Sequence, residues 1–207
     1  MSRRLDASQG VALVLVLLVG LAVGFVARAV FFTPAPPAPT AAPNLVRADP
    51  SALVVQPRDV PSSYRIAADP NAPEPGQTHP KAHYSVTLSR NDSSRYLAQC
   101  AVAVYSSTTA AQSALKTLLG LGQFGTELPL LAALGEDGHL FAANDPKSGV
   151  VVGSVLWRDR NVVAYIFVYN PYEASTPAAE IERLARGNAY DDTFALASRT
   201  EEHIKAG

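Results

Sequence analysis

The feature that most constrains this chain is an uninterrupted apolar segment near its N-terminus. No polar side chain occurs between Val11 and Ala27, a run of seventeen residues. As a helix that rises about 1.5 Å per residue, the wider segment 10–32 would reach about 34 Å, enough for a hydrocarbon core of about 30 Å. A buried globular helix explains the segment poorly, because it has no polar face and proline-rich sequence follows it. The sequence therefore predicts a transmembrane helix over residues 10–32, in contact with membrane lipid.

Basic residues on one side of this segment predict its orientation. Arg3 and Arg4 precede it, so the positive-inside rule places residues 1–9 in the cytoplasm and the C-terminal domain outside the cell membrane. A cleavable signal peptide is the main alternative, because the small residues on either side of Arg28 resemble a signal-peptidase site. The apolar run is longer than signal peptides usually have, which favours a retained single-pass anchor.

Proline marks the next boundary in the chain. Twelve of the sixteen prolines lie between Pro34 and Pro80, and residues 33–43 read TPAPPAPTAAP. Such a stretch cannot form a β-ladder and favours extended polyproline II. We predict a linker over residues 33–48, followed by one extracytoplasmic domain over residues 49–207 that is long enough for a single hydrophobic core.

Charge and cysteine content exclude several classes of protein. The chain of 207 residues has a net charge of -1 and one cysteine, Cys100. This balance argues against nucleic-acid binding, which needs a basic surface. A single cysteine cannot form an internal disulfide or a thiolate-rich zinc site, and its apolar neighbours predict that Cys100 is a small buried hydrophobe.

Residue periodicity predicts the strands of the domain. Apolar and polar residues alternate over residues 84–89, the pattern of a half-buried strand, and a polar turn leads to a second strand over residues 96–105. Similar patterns predict strands over residues 139–143, 150–158 and 161–169, and a short edge strand is expected near Tyr64.

Two main helices are predicted beside these strands. Thr109 and Gln112 have the form of a capping box, which predicts a helix over residues 110–119. Thr176 and Pro177 predict the start of a last helix, which Gly187-Asn188 interrupts. The expected fold is α+β: a mostly antiparallel sheet of five to six strands with two main helices, preceded by the transmembrane helix.

The strands over residues 150–158 and 161–169 are apolar on both faces. If Asp159-Arg160 is a two-residue loop, residues 158 and 161 lie opposite each other and Trp157 lies on the first face. A hairpin normally exposes one face to water, so the second face must be covered, and the apolar segment 124–134 is the best internal candidate. The sequence predicts a ligand or partner face where that segment meets the second face, with Tyr165, Phe167, Tyr169, Leu130 and Leu131 as its residues.

Three short motifs carry a family resemblance. They are Gln56-Pro57-Arg58-Asp59-Val60-Pro61, Leu134-Gly135-Glu136-Asp137 and Trp157-Arg158-Asp159-Arg160-Asn161-Val162-Val163. With them, residues 51–205 resemble the small extracytoplasmic α+β domains of bacterial single-pass membrane proteins and lipoproteins, similar in plan to PsbP-like sandwiches. The resemblance implies the fold and a sensing, adhesion or assembly role, without a shared catalytic set. Those domains usually have glycine where Arg160 stands here.

Motifs of known enzymes are matched only in fragments. Ser113 and Lys116 form S-x-x-K, but only about thirty residues separate them from Lys147-Ser148-Gly149, far fewer than penicillin-binding enzymes need between such motifs. His79 and His83 have a metal-ligand spacing for a helix, and Pro80 prevents a helix there. We therefore predict no catalytic residues, no metal site and no cofactor.

These observations favour a membrane-anchored extracytoplasmic module that binds or senses an unidentified ligand. Its expected partners are membrane lipid, through the N-terminal helix, and a protein or apolar ligand at the predicted face. Two alternatives stay open: a small cell-envelope hydrolase whose site is assembled from distant residues, and a purely structural envelope component. A cleft that joins a serine to a histidine or carboxylate would favour the hydrolase, and an apolar groove would favour binding.

Overall fold

Seven strands form one sheet in the computed structural model, which describes residues 44–69, 75–91, 93–122 and 124–207. Every neighbouring pair is antiparallel, and the α+β prediction is confirmed at this level. The strands are β1 (Tyr64–Ala68), β2 (Ala82–Arg90), β3 (Ser93–Val104), β4 (Thr126–Leu128), β5 (Asp137–Asp145), β6 (Val150–Asp159) and β7 (Val162–Pro171). Their order is β1-β2-β3-β7-β6-β5-β4, which makes β7 the central strand.

The prediction of five to six strands was wrong because it omitted β4. This edge strand pairs Thr126 with Ala142 and Leu128 with Leu140. Three residues are too few to show an alternating pattern, so the sequence alone predicts a loop there. β4 ends one edge of the sheet and leaves the last residues of β5 without a strand on that side.

Helices cover both sides of the sheet. They are α1 (Pro50–Leu53), α2 (Thr108–Gly120), α3 (Ala178–Gly187) and α4 (Phe194–Ala206), with a π-helical segment (Asn188–Thr193) between α3 and α4. The N-cap of α2 is Ser107 rather than the predicted Thr109, because the Ser107 hydroxyl accepts a hydrogen bond from the Ala110 amide at 3.1 Å. The predicted interruption at Gly187-Asn188 is the point where α3 passes into the π-helical segment.

One side of the sheet, which we call the sealed face, is defined by the buried side chains of Cys100, Val155, Trp157 and Ile166. α1, α3, the π-helical segment and α4 all pack on it. The π-helical segment lies so close to β6 that a Cβ atom at Gly153 would be 2.2 Å from Thr193 Oγ1. Glycine is therefore the residue that permits this close packing.

The opposite side, which we call the cleft face, is defined by Ala101, Leu156, Tyr165 and Phe167. The predicted covering segment 124–134 contributes Phe124 to this face, but its Leu128 and Leu134 pack in the core of the sealed face instead. The main cover is α2, through its buried residues Ala111, Ala114, Leu115 and Leu118.

The β6–β7 hairpin has the predicted faces and a different register. Asp159 lies opposite Val162, so the loop is Arg160-Asn161 and the predicted pairing of residues 158 and 161 was wrong. The shift along β7 is two residues, and side chains alternate with a period of two, so each residue stays on its predicted face. Arg160 occupies the left-handed region at φ 53°, and its guanidinium donates a hydrogen bond to the Ile204 carbonyl in α4.

The chain already contacts this domain before α1. Val46 is buried, its amide donates to Asn161 Oδ1 at 2.7 Å, and Asn161 Nδ2 donates to the Val46 carbonyl at 3.1 Å. Val46, within the predicted linker 33–48, thus packs at the end of the sheet where β7 begins. None of the helices described here has the length and apolar character needed to cross a membrane, and the predicted anchor at residues 10–32 lies outside the described residues.

Candidate functional site

The candidate site arises because α2 covers only half of the cleft face. α2 packs over the end of the sheet that carries Ala103 and Val163. Toward the other end, Gln99 and Phe167 are paired across β3 and β7, and Tyr169 is paired with Val152 of β6. All four of these side chains are only partly buried. This half of the face is therefore open to solvent.

The open half forms a cleft of about 630 Å³. That volume lies within the range of small-molecule binding sites, about 300 to 1,000 Å³. The sheet supplies the floor, Leu118 of α2 and Leu121 after it supply one wall, and the end of β5 supplies the rim. The lining residues are Gly76, Gln99, Leu118, Leu121, Phe124, Ala143, Asn144, Asp145, Val152, Ser154, Leu156, Tyr165, Phe167 and Tyr169.

Aromatic rings form the floor and one wall of the cleft. The Phe124 ring stacks on Phe167 with centroids 6.0 Å apart and packs on Phe141 at 5.3 Å, and Tyr165 meets Phe167 edge to face at 5.6 Å. Phe124 reaches this position because Gly125 has φ 94° and lies directly against β5. A Cβ atom at Gly125 would be 2.4 Å from the Ala142 carbonyl oxygen. This glycine therefore lets the chain bring Phe124 over the sheet.

Burial raises the pKa of two tyrosines in the cleft. Removal from water raises the pKa of Tyr165 to about 12, and Tyr105 and Asp69 act in the same direction. Burial also raises the pKa of Tyr169. A phenol is already neutral at physiological pH, so both tyrosine hydroxyls are able to donate hydrogen bonds.

Asp145 and Ser154 are two of the polar side chains of the cleft. Asp145 accepts hydrogen bonds from the Lys147 amide at 3.0 Å and from the Ser148 hydroxyl at 2.6 Å, so its carboxylate holds the β5–β6 loop. Ser154 also lines the cleft, and no histidine is among the described lining residues. The arrangement can bind an apolar molecule and hydrogen-bond to its polar end.

The structure brings three of the five predicted site residues together. Tyr165, Phe167 and Tyr169 line the cleft. Leu130 packs against the core of the sealed face, and Leu131 is 65% exposed. Neither leucine lines the cleft. The segment that contains both leucines leaves the cleft after β4. Because the sequence does not predict β4, it does not predict this change of direction.

Sequence reasoning missed the residues that complete the cleft. Leu118 lies near the C-terminal end of α2, Leu121 directly follows that helix, and Gln99 lies on β3. An amphipathic pattern identifies the apolar side of α2, but it does not say which part of the sheet that side covers. Asn144 and Asp145 are the last two residues of β5, and the predicted strand ended two residues earlier, at residue 143.

Several side chains outside the cleft are of types that could carry chemistry, and each has an ordinary place in the fold. His139 lies between carboxylates, with Nδ1 2.7 Å from Glu127 Oε1 and Nε2 3.2 Å from Asp137 Oδ1, and this pairing helps to hold β4 on β5. Ser113 and Lys116 are exposed on α2, and Cys100 is fully buried, as predicted. Within the described residues, no cluster of three or more histidine, cysteine or acidic side chains could hold a metal ion.

Comparison with known proteins gives distant similarity to solved structures only. No protein-family model matches the chain, and no curated protein matches it. Among solved structures, it is similar to the extracellular domain of PknH from Mycobacterium tuberculosis, with a TM-score of 0.49 and 12% sequence identity over 80% of this chain and 100% of that one. The resemblance to PsbP-like sandwiches stays a prediction. The function proposed below therefore depends on this chain's own residues.

Proposed function

We propose that this chain is an extracytoplasmic binding or sensing module, anchored through residues 10–32, that binds a small ligand in the cleft. The observation that carries the proposal is the row of Tyr165, Phe167 and Tyr169 at the floor of a cleft of about 630 Å³. Large aromatic side chains are normally covered in a folded domain, and an apolar surface that stays partly open commonly marks a binding site.

The lining of the cleft favours binding over catalysis. Its walls are aliphatic and aromatic, and its polar side chains are few: Gln99, Asn144, Asp145 and Ser154 beside the two tyrosines. Binding sites for small molecules typically combine a mainly apolar surface with a few polar groups that orient the ligand. A hydrolase would need a serine beside a base, and the one carboxylate among the described lining residues, Asp145, accepts hydrogen bonds from the loop that follows β5.

The cleft can be tested with three probes that share one apolar body. Phenylbutyltrimethylammonium, phenylbutanol and phenylbutyrate each carry a phenylbutyl group, which fits an aromatic floor, and differ only in their polar end. The full chain is placed in lipid nanodiscs, and binding is measured by calorimetry with empty nanodiscs as the blank. We expect at least one probe to bind and Phe167→Ala to weaken its binding at least about tenfold, because the ring forms the floor.

Leu131→Ala is the matched control, since Leu131 is exposed and outside the cleft. It should leave probe binding as in the unchanged protein. Tyr169→Ala, at a partly buried position beside Phe167, gives a second test if Phe167→Ala does not fold. If no probe binds, or if both cleft variants bind as well as the Leu131 control, the cleft is not a ligand site.

The anchoring part of the proposal has its own test. The apolar segment 10–32 should keep the protein in the membrane fraction after washing with salt and alkaline carbonate, because only a spanning helix resists both. Protease is added to cells whose outer layers have been removed and whose cell membrane is intact. It should degrade residues 49–207, which would be protected only if they lay inside the cell. Recovery of full-length protein in the soluble fraction would contradict the anchor, whatever the probes show.

A further inference from the structure

The charges around the cleft are the basis for a further inference about its ligand. Asp145 is the only lining residue, among those described, whose side chain is charged at neutral pH. The Ser148 hydroxyl, and after it the Lys147 and Ser148 amides, lower the pKa of the Asp145 carboxyl, so this group is ionised. The rim of the cleft therefore carries a fixed negative charge.

The basic residue nearest to Asp145 along the chain is Lys147, which lies in the loop between β5 and β6. The Lys147 charge interacts with the Asp145 carboxylate, but the Lys147 side chain does not line the cleft. No lysine or arginine among the described residues lines the cleft.

The aromatic floor adds to the same preference. The faces of phenylalanine and tyrosine rings carry partial negative charge and attract an organic cation held near them. Phe167 and Tyr169 are partly open to solvent, and Tyr165 lies beside them. A cation at this floor thus meets aromatic rings and the Asp145 carboxylate, whereas a fatty acid or a phosphate would meet that carboxylate and, among the described lining residues, no basic partner.

From this arrangement we infer that the cleft selects an organic cation, a molecule with a flat apolar body and an ammonium-type head. The inference rests on the proposed ligand site and names the chemical class that the site prefers. The apolar body would lie on Phe167 and Val152 beside Phe124, and the cationic head would lie toward Asp145 or beside the Tyr165 ring.

The three phenylbutyl probes separate this inference from the proposed function. We expect phenylbutyltrimethylammonium to bind at least about tenfold more tightly than phenylbutyrate, with phenylbutanol between them, because only the head group differs. The preference for the cation over the carboxylate should shrink when the ionic strength is raised, because exposed charges are screened by salt.

Asp145→Asn is the variant that tests the charge itself. Asparagine keeps the Oδ1 acceptor that the Lys147 amide uses and removes the negative charge. It should reduce the ratio of cation affinity to alcohol affinity by about three- to tenfold, which is the scale of one partly screened charge. Leu131→Ala should leave that ratio as it is in the unchanged protein.

The possible failures are distinct. If the alcohol or the carboxylate binds as tightly as the cation and Phe167→Ala still removes binding, the ligand site stands and the cation inference is overturned. An unchanged affinity ratio in Asp145→Asn overturns the role of that carboxylate. Loss of Phe167 dependence for every probe overturns the proposed function and the inference together.

Discussion

The two faces of this sheet have similar apolar side chains and different covers. On the sealed face, three helices and the π-helical segment exclude water from Trp157 and Ile166 completely. On the cleft face, one helix covers Ala101 and Leu156, while Phe167 and Tyr169 stay partly open. The difference shows that the strands alone decide which surface is apolar and needs a cover. The number and placement of the helices decide how much of that surface is covered. The uncovered remainder is where we place the ligand.

The largest expected effect comes from the sealed face. Trp157→Ala should lower the free energy of unfolding by about 4 kcal/mol, since it removes a fully buried aromatic side chain. It also leaves Glu201, which accepts a hydrogen bond from Trp157 Nε1 at 2.8 Å, without that donor. Urea unfolding followed by circular dichroism measures the change. A loss below about 1 kcal/mol would mean that the sealed face is not packed as described.

Two neighbouring residues of β6 compare the faces directly. Gly153→Ala should cost about 3 kcal/mol, because its Cβ atom would collide with Thr193 Oγ1 on the sealed face. Ser154→Ala, one residue later on the cleft face, should cost about 1 kcal/mol or less, because it removes only a hydroxyl group and introduces no clash. Fluorescence of the single tryptophan during urea unfolding measures both. Equal costs would contradict the asymmetry of the two faces.

Phe167 tests how open the cleft is. Phe167→Ala should cost about 1.5 kcal/mol, less than the roughly 3 to 5 kcal/mol of a fully buried phenylalanine, because the ring is partly exposed. Thermal unfolding of Phe167→Ala beside the exposed-site control Leu131→Ala gives the comparison. A cost above about 3 kcal/mol would indicate a closed core instead of a cleft.

The smallest expected effect is at the β6–β7 turn. Arg160→Gly relieves a left-handed backbone conformation and removes the hydrogen bond to the Ile204 carbonyl, so the two effects should cancel to within about 0.5 kcal/mol. Arg160→Ala keeps the unfavourable conformation and loses the contact, and should destabilise by about 1 kcal/mol. If Arg160→Gly lowers the free energy of unfolding as much as Arg160→Ala does, backbone strain at residue 160 contributes nothing measurable.

The strand pattern was accessible from sequence because covalent geometry imposes it. Side chains alternate along a strand, so the apolar composition of residues 150–158 and 161–169 identified both faces even though the register was misplaced by two residues. The same argument placed Tyr165, Phe167 and Tyr169 on one face. It failed for Leu130 and Leu131, which follow a short edge strand that has too few residues to show a pattern.

By itself, the sequence determined the alternation of the strands, the apolar character of both faces and the aromatic row that lines the cleft. Only the tertiary structure decided that α2 and Phe124 cover part of one face, that Leu131 is exposed, and that Asp145 reaches the rim. The physical reason is the range of each interaction. Local backbone geometry repeats every two residues, whereas the cover of a face depends on packing between segments far apart in the chain.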